Sequence, residues 1–181
     1  MRKRLVLMLM LTLLIVLPII FGCAGWDPKR EQKEETAVQV TIASFKKADS
    51  TMQVYFNNAY GYAVFPSVGK GGYFIGGGTG EGRVYEQGNF IGHSRVINLT
   101  VGAQIGGQSY SEIIFFKDRV SLNDFKGGNF EFTAQASAVF ATEGISKNHQ
   151  YNEGVAVFTM PKAGAMVEAT IGGQKFSFKP K

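Results

Sequence analysis

Cysteine occurs once in this chain of 181 residues, tryptophan once and histidine only twice, and each scarcity removes a kind of chemistry. A single cysteine forbids an internal disulfide, so a fold exported from the cytosol must hold itself by packing alone. His93 reads as part of a surface turn, and His149 sits in the polar run from Ser146 to Gln150. Neither has a Cys, an Asp or a second His at metal-ligand spacing, so no metal site is expected. The stretch Asp118 to Asp124 lacks the alternating acceptors and central glycine of a calcium loop. Glu112, Glu131, Glu143, Glu153 and Glu168 show no pair spaced for acid–base work, and adjacent strand residues such as His93 and Ser94 rarely form a nucleophile pair. The expectation is a protein with no catalytic residue and no cofactor.

Long apolar runs are also scarce, with one exception at the N-terminus. Arg2, Lys3 and Arg4 precede an almost unbroken apolar stretch from Leu5 to Phe21, interrupted near its end by Pro18. That stretch falls short of the roughly 20 residues of an ordinary membrane-spanning helix and has the build of a secretory leader. The end of the run, Ile20-Phe21-Gly22-Cys23, resembles the lipobox of bacterial lipoprotein signal peptides. That resemblance implies a cut before Cys23, a thioether-linked diacylglycerol on its sulfur and an acyl chain on the new amine. Several acyl chains on one residue anchor stably, since each buried methylene contributes about 0.8 kcal/mol. Ala24 stands where an aspartate would favour retention, which implies the outer membrane and a domain facing the periplasm.

Net charge is correspondingly modest. The chain carries +5, and loss of the three leader cations leaves +2, too little to bind a polyanion by charge alone. No nucleic-acid partner is expected. The organisation read from the sequence is a leader over residues 1–22, an acylated cysteine and polar tether over 23–35, and one domain over 36–181, large enough for a single core.

Within the domain the apolar period changes once. Val38, Ile42, Phe45, Met52, Tyr55 and Phe56 recur at threes and fours, broken at Asp49-Ser50. This predicts helices near 36–48 and 51–59, the second opened by a Ser50–Gln53 capping box, with Gly61 as a C-cap. The first helix either covers one face of a sheet or lies on the membrane with Lys46 and Lys47 at the headgroups. From Tyr62 onward the segments are short, rich in Val, Phe and Tyr, and separated by glycine or polar turns. Ile113 to Phe116 is a continuous apolar run, as in a strand covered on both faces. The one later helix signal is a Ser121–Asp124 capping box. The predicted fold is α+β: two N-terminal helices packed on a strongly bent, mostly antiparallel sheet of about eight strands. Ala63-Val-Phe65 recurs as Ala156-Val-Phe158, which fits either a pseudo-repeat folding the sheet on itself or convergent hairpin chemistry.

Glycine is the residue in surplus, 23 in all, densest between Pro66 and Gly82. A Walker A loop would need Ser or Thr after Gly69-Lys70, where Gly71 stands, and a glycine where Val64 stands. A dinucleotide loop would need its third glycine at Arg83, and a helix after it where a strand is read. The phosphate loop of nucleotide enzymes is excluded. Gly76, Gly78, Gly80 and Gly82 recur at period two, which in a strand clears one face for close approach by packing groups or by a ligand.

The segment Gly61-Tyr-Ala-Val-Phe-Pro-Ser-Val-Gly-Lys-Gly-Gly72, followed by Phe74 to Gly78, resembles the opening signature of the SYLF domain family. Val101 to Gln108, Glu112 to Phe116, Leu122 to Phe125 and Phe132 to Ala141 resemble its later blocks, so the likeness covers about residues 36–179. The last block departs: Pro161 intrudes, and the aromatic residue after Gly164 is missing, so the actin binding of some eukaryotic members does not carry over. The resemblance implies lipid binding. Lys70, framed by Gly69, Gly71 and Gly72 in a glycine-rich loop, is the implied contact for an anionic headgroup, with Arg83 and Lys162 as further candidates. The competing reading is an envelope lipoprotein that serves a structural or protein-interaction role without a lipid ligand.

Overall fold

The structure, a computed structural model, describes residues 28–71, 75–101, 108–128, 131–132, 139–162 and 174–181. The leader and Cys23 lie outside the described residues. Two compact units meet in sequence at Glu34 and Glu35. Of the first, Pro28 to Glu34 is described, and it is helical, with an exposed Arg30–Glu34 ion pair one turn apart. Proline suits the first helical position because its missing N–H would have no partner there. The first helix therefore begins at Pro28, ahead of its expected start near residue 36.

The second unit, Glu35 to Lys181, carries the sheet. Helix α1 (Pro28–Ala48) is followed by a 3-10 turn, η1 (Ser50–Met52), and a short helix, α2 (Gln53–Asn58). The break between them is capped by Asp49, not by Ser50: the Asp49 carboxylate accepts from the Thr51 amide at 2.9 Å. Aspartate is at least as good a cap as serine, and it stands one residue earlier. Gly61 is likewise no cap. It opens β1, and the C-cap is Ala59.

Six strands of seven or more residues make up the body of one sheet: β1 (Gly61–Gly71), β2 (Ile75–Glu86), β3 (Asn89–Val101), β4 (Gln108–Phe116) and, later in the chain, the strands Val155–Pro161 and Gln174–Pro180. Helix α3 (Arg119–Lys126) follows β4, then the two-residue strands β5 (Glu131–Phe132) and β6 (Val139–Phe140), and the single turn α4 (Ile145–Asn148). The last two long strands are thus β7 and β8. The order is β5-β8-β3-β2-β1-β4-β7-β6, antiparallel throughout except for the β6–β7 pair. The architecture is α+β with a single sheet, open among the described residues. Gln87 and Gly88 both have positive φ between Glu86 and Asn89, the backbone of a tight two-residue hairpin turn. His93, expected in a turn, lies in β3.

Both faces of the sheet are covered. Alternation along β4 sends Ile113 and Phe115 to one face and Ile114 and Phe116 to the other, all fully buried. On the first face Val38, Ile42 and Phe45 of α1, together with Met52 and Tyr55, pack against Val64, Ile113, Phe115 and Phe158. The helix therefore covers the sheet and buries the stripe that membrane contact would require. On the second face Leu122 and Phe125 of α3 pack with Phe65, Val84, Ile114, Phe116 and Phe176. Helix α3 starts at Asp118, whose carboxylate accepts from the Ser121 amide at 2.9 Å, so the expected Ser121 cap gives way to an aspartate three residues earlier.

The Ala-Val-Phe echo does not fold the sheet on itself. Both copies flank β4, but Ala63 and Val157 face Ile114, while Val64 and Phe158 face Ile113. The copies are offset by one residue and present opposite faces to the core.

Candidate functional site

The segment around Lys70 was expected as a loop. It is strand: Gly69 pairs with Thr79 and Ser109, Lys70 with Gly78 and Gln108, and Gly71 with Gly77. Its backbone runs in a ladder with β2 and β4, which corrects the picture of amides converging on a ligand. Gly72, Tyr73 and Phe74 lie outside the described residues. A bulge in β1 between Val64 and Val68 shifts the register against both neighbours. Pro66 sits there, where its missing N–H costs no ladder bond.

Pairing places Lys162 near the same end. Its amide donates to the Ser109 carbonyl at 3.0 Å, and Ser109 is the partner of Gly69 across β4. Gly69, Ser109 and Lys162 thus form one rung across three chain segments, with Lys70 one residue beyond it. At the usual strand separation the backbones of Gly69 and Lys162 are about 10 Å apart. Lys162 is exposed, and so is Gly69, whose Cα has open space where a Cβ would stand.

Arg83 is elsewhere. It lies five residues from Gly78 along β2, about 17 Å at the rise of an extended chain. Its side chain is buried on the face covered by α1. Nε is 3.3 Å from Glu35 Oε2, and the guanidinium carbon is 3.7 Å from the centroid of the Phe90 ring. The Tyr85 hydroxyl donates to the same Glu35 oxygen at 2.9 Å. Burial, then that carboxylate, pushes the Tyr85 phenol far above its ordinary range. Arg83 fastens a strand to a helix and is not brought together with Lys70.

Two of the glycines at period two have a packing role. A Cβ on Gly82 would stand 2.6 Å from Phe65 Cδ1, and one on Gly80 would stand 2.8 Å from Val68 Cγ2. These two exist to admit core side chains from the bulged strand.

Beneath the Lys70 end lies a buried polar group whose burial and partner no sequence spacing announced. Glu112 is fully buried, and Gln174 Nε2 donates to its Oε2 at 3.2 Å and to the Tyr110 hydroxyl at 3.1 Å. Gln174 is far away in sequence, so no local spacing announces the contact. Among the described residues no group of three His, Cys, Asp or Glu could hold a metal ion, and no helix is long and apolar enough to cross a membrane.

No protein-family model matches the chain. It is similar to the protein named beta cell expansion factor A from Aeromonas veronii, with 27% identity over 153 residues. The alignment takes in 78% of this chain but 58% of that relative, so the chain spans little more than half of the longer protein.

Proposed function

We propose that this chain is a bacterial envelope lipoprotein, acylated at Cys23 and held at the periplasmic face of the outer membrane. Its domain, of the SYLF type by resemblance, binds anionic lipid headgroups at the end of the sheet that carries Lys70 and Lys162. The observation that carries this reading is the shared rung of Gly69, Ser109 and Lys162 with Lys70 beside it. Alternation along the strands sets the position of Lys70 and the Gly69–Ser109–Lys162 rung on opposite faces of this sheet end, so the two lysines suit separate headgroups of an anionic surface and not one shared phosphate. The binding rests on those two lysines and not on a nest of amides, because the Gly69–Gly71 backbone is engaged in the ladder. Arg83, spent on Glu35, has no part in it. The name of the similar protein describes an effect on beta cells and specifies no ligand chemistry.

Two experiments test the reading. Intact-mass analysis of the membrane-extracted protein is expected to show the leader removed and Cys23 acylated, and Cys23→Ala to abolish both. A retained Met1 or an unmodified Cys23 ends the lipoprotein reading. For the headgroup site, full-length protein held in phosphatidylcholine nanodiscs is expected to capture vesicles containing phosphatidylglycerol. Lys70→Glu with Lys162→Glu should lose that capture at an unchanged melting temperature. Equal capture by wild type and double variant leaves the structural or protein-interaction reading in its place.

A further inference from the structure

A cavity of about 570 Å³ opens beside α2, at the end of β4 opposite Lys70. Lys117, which directly follows β4, is on its lining, whereas Lys70 pairs with Gln108 at the other terminus of that strand. Nine residues of strand separate the two positions, about 30 Å, so the cavity and the headgroup site are distinct.

The walls are fixed from several directions. Asp49 accepts from the Ser146 amide at 2.8 Å, which ties α4 to η1. The Tyr55 hydroxyl donates to the His149 carbonyl, and the Tyr55 ring packs at 5.5 Å from Tyr151 and at 5.0 Å from Phe158. The Lys117 amide donates to the Gly154 carbonyl at 2.8 Å. A cavity held by such bonds exists before a ligand arrives and costs little to order on binding.

Its chemistry has two parts. Val54, Tyr55 and Tyr151 give it an apolar side, and Val54 is 57% exposed although it sits in a helix beside the core. Lys117 and Lys147 give it positive charge, and no Asp or Glu is among the lining residues. His149 adds no charge at neutral pH, because burial pushes its imidazole below the ordinary value. The volume lies within the range of small-molecule pockets, which are mostly apolar with a few placed polar groups.

We propose that this cavity is a binding site for a small organic anion, an apolar body bearing one carboxylate or phosphate. The body packs on Val54, Tyr55 and Tyr151, and the anionic head lies between Lys117 and Lys147. The site is independent of the headgroup reading and stands whether or not that reading does.

Saturation-transfer NMR on full-length protein in phosphatidylcholine nanodiscs tests it, with 4-phenylbutyrate and 4-phenylbutyl phosphate as probes and empty nanodiscs subtracted. Uncharged 4-phenylbutanol is the matched control. At least one anion is expected to bind saturably, and the alcohol at least tenfold more weakly. The arm that binds tells carboxylate from phosphate. Lys117→Ala with Lys147→Ala should weaken the anion at least about tenfold, the scale of one lost charge-assisted contact. Lys70→Glu should leave it unchanged. Absence of saturable binding by both anions overturns the proposal. So does equal binding of the alcohol, undiminished binding by the double lysine variant, or loss of binding in Lys70→Glu.

Discussion

Phe65 of β1 lies over the Cα of Gly82 in β2, so close that a methyl group on Gly82 would stand 2.6 Å from its Cδ1 and 2.6 Å from the Val64 carbonyl oxygen. The contact follows from the bulge in β1, which swings Phe65 across its neighbour while keeping it fully buried. Gly80 and Gly82, two of the glycines whose density first suggests a phosphate loop, are therefore packing devices. Gly82→Ala should destabilise the fold by about 1–3 kcal/mol through overpacking. Gly69→Ala, into open space, should be neutral or slightly stabilising because it restricts the unfolded chain. Urea melts of the two variants check the contrast; equal midpoints would refute it.

Arg83 and Glu35 give a second contrast. Glu35→Ala removes the carboxylate while leaving Arg83 buried and Tyr85 without that acceptor, and should cost about 1–3 kcal/mol. Arg83→Met keeps most of the volume over Phe90 and removes the buried charge, so it should cost less. Capture of anionic vesicles should be unaffected by Arg83→Met. Loss of capture at unchanged stability would return Arg83 to the ligand site.

The architecture was legible where one residue pattern admits one answer. Ile113 to Phe116 reads as a strand covered on both faces, and all four side chains are fully buried. The helical stripe of Val38, Ile42 and Phe45 was equally plain, and only the partner face was open to choice. Boundaries were less legible. Two capping boxes beginning with serine were passed over for Asp49 and Asp118, each closer to the preceding element and able to accept from the same first turn. His93, read as part of a surface turn, lies in β3, and Gly92 beside it answers a close approach by the Lys179 carbonyl and Phe178 of β8, at a register shift in β2 against β3. The cavity beside α2 was not legible at all. Its walls come from residues 51–58, 117 and 146–151, which only the tertiary fold assembles.

The carboxylate of Asp49 provides a prediction in pH. The residue is buried, and burial by itself would raise its pKa. Hydrogen bonds from the Thr51 side chain, the Ser146 amide and side chain, and the Thr51 amide outweigh that and lower it from 3.8 to about 2. A carboxylate whose folded-state pKa is depressed binds fewer protons in the folded than in the unfolded chain. Its stabilisation is therefore complete above the unfolded value near 3.8 and is lost as the pH falls through about 2. Discounted for solvent screening, the contribution at neutral pH is about 1–2 kcal/mol. Asp49→Asn keeps the shape but weakens the bonds to Thr51 and Ser146, which join η1 to α4. At pH 7 the variant should be less stable by about that amount. Between pH 4 and pH 2 wild type should lose stability faster than the variant, so the gap narrows and nearly closes. Urea melts across that window decide it: a gap that stays constant from pH 7 to pH 2 would mean the charge of Asp49 contributes nothing and only its shape matters.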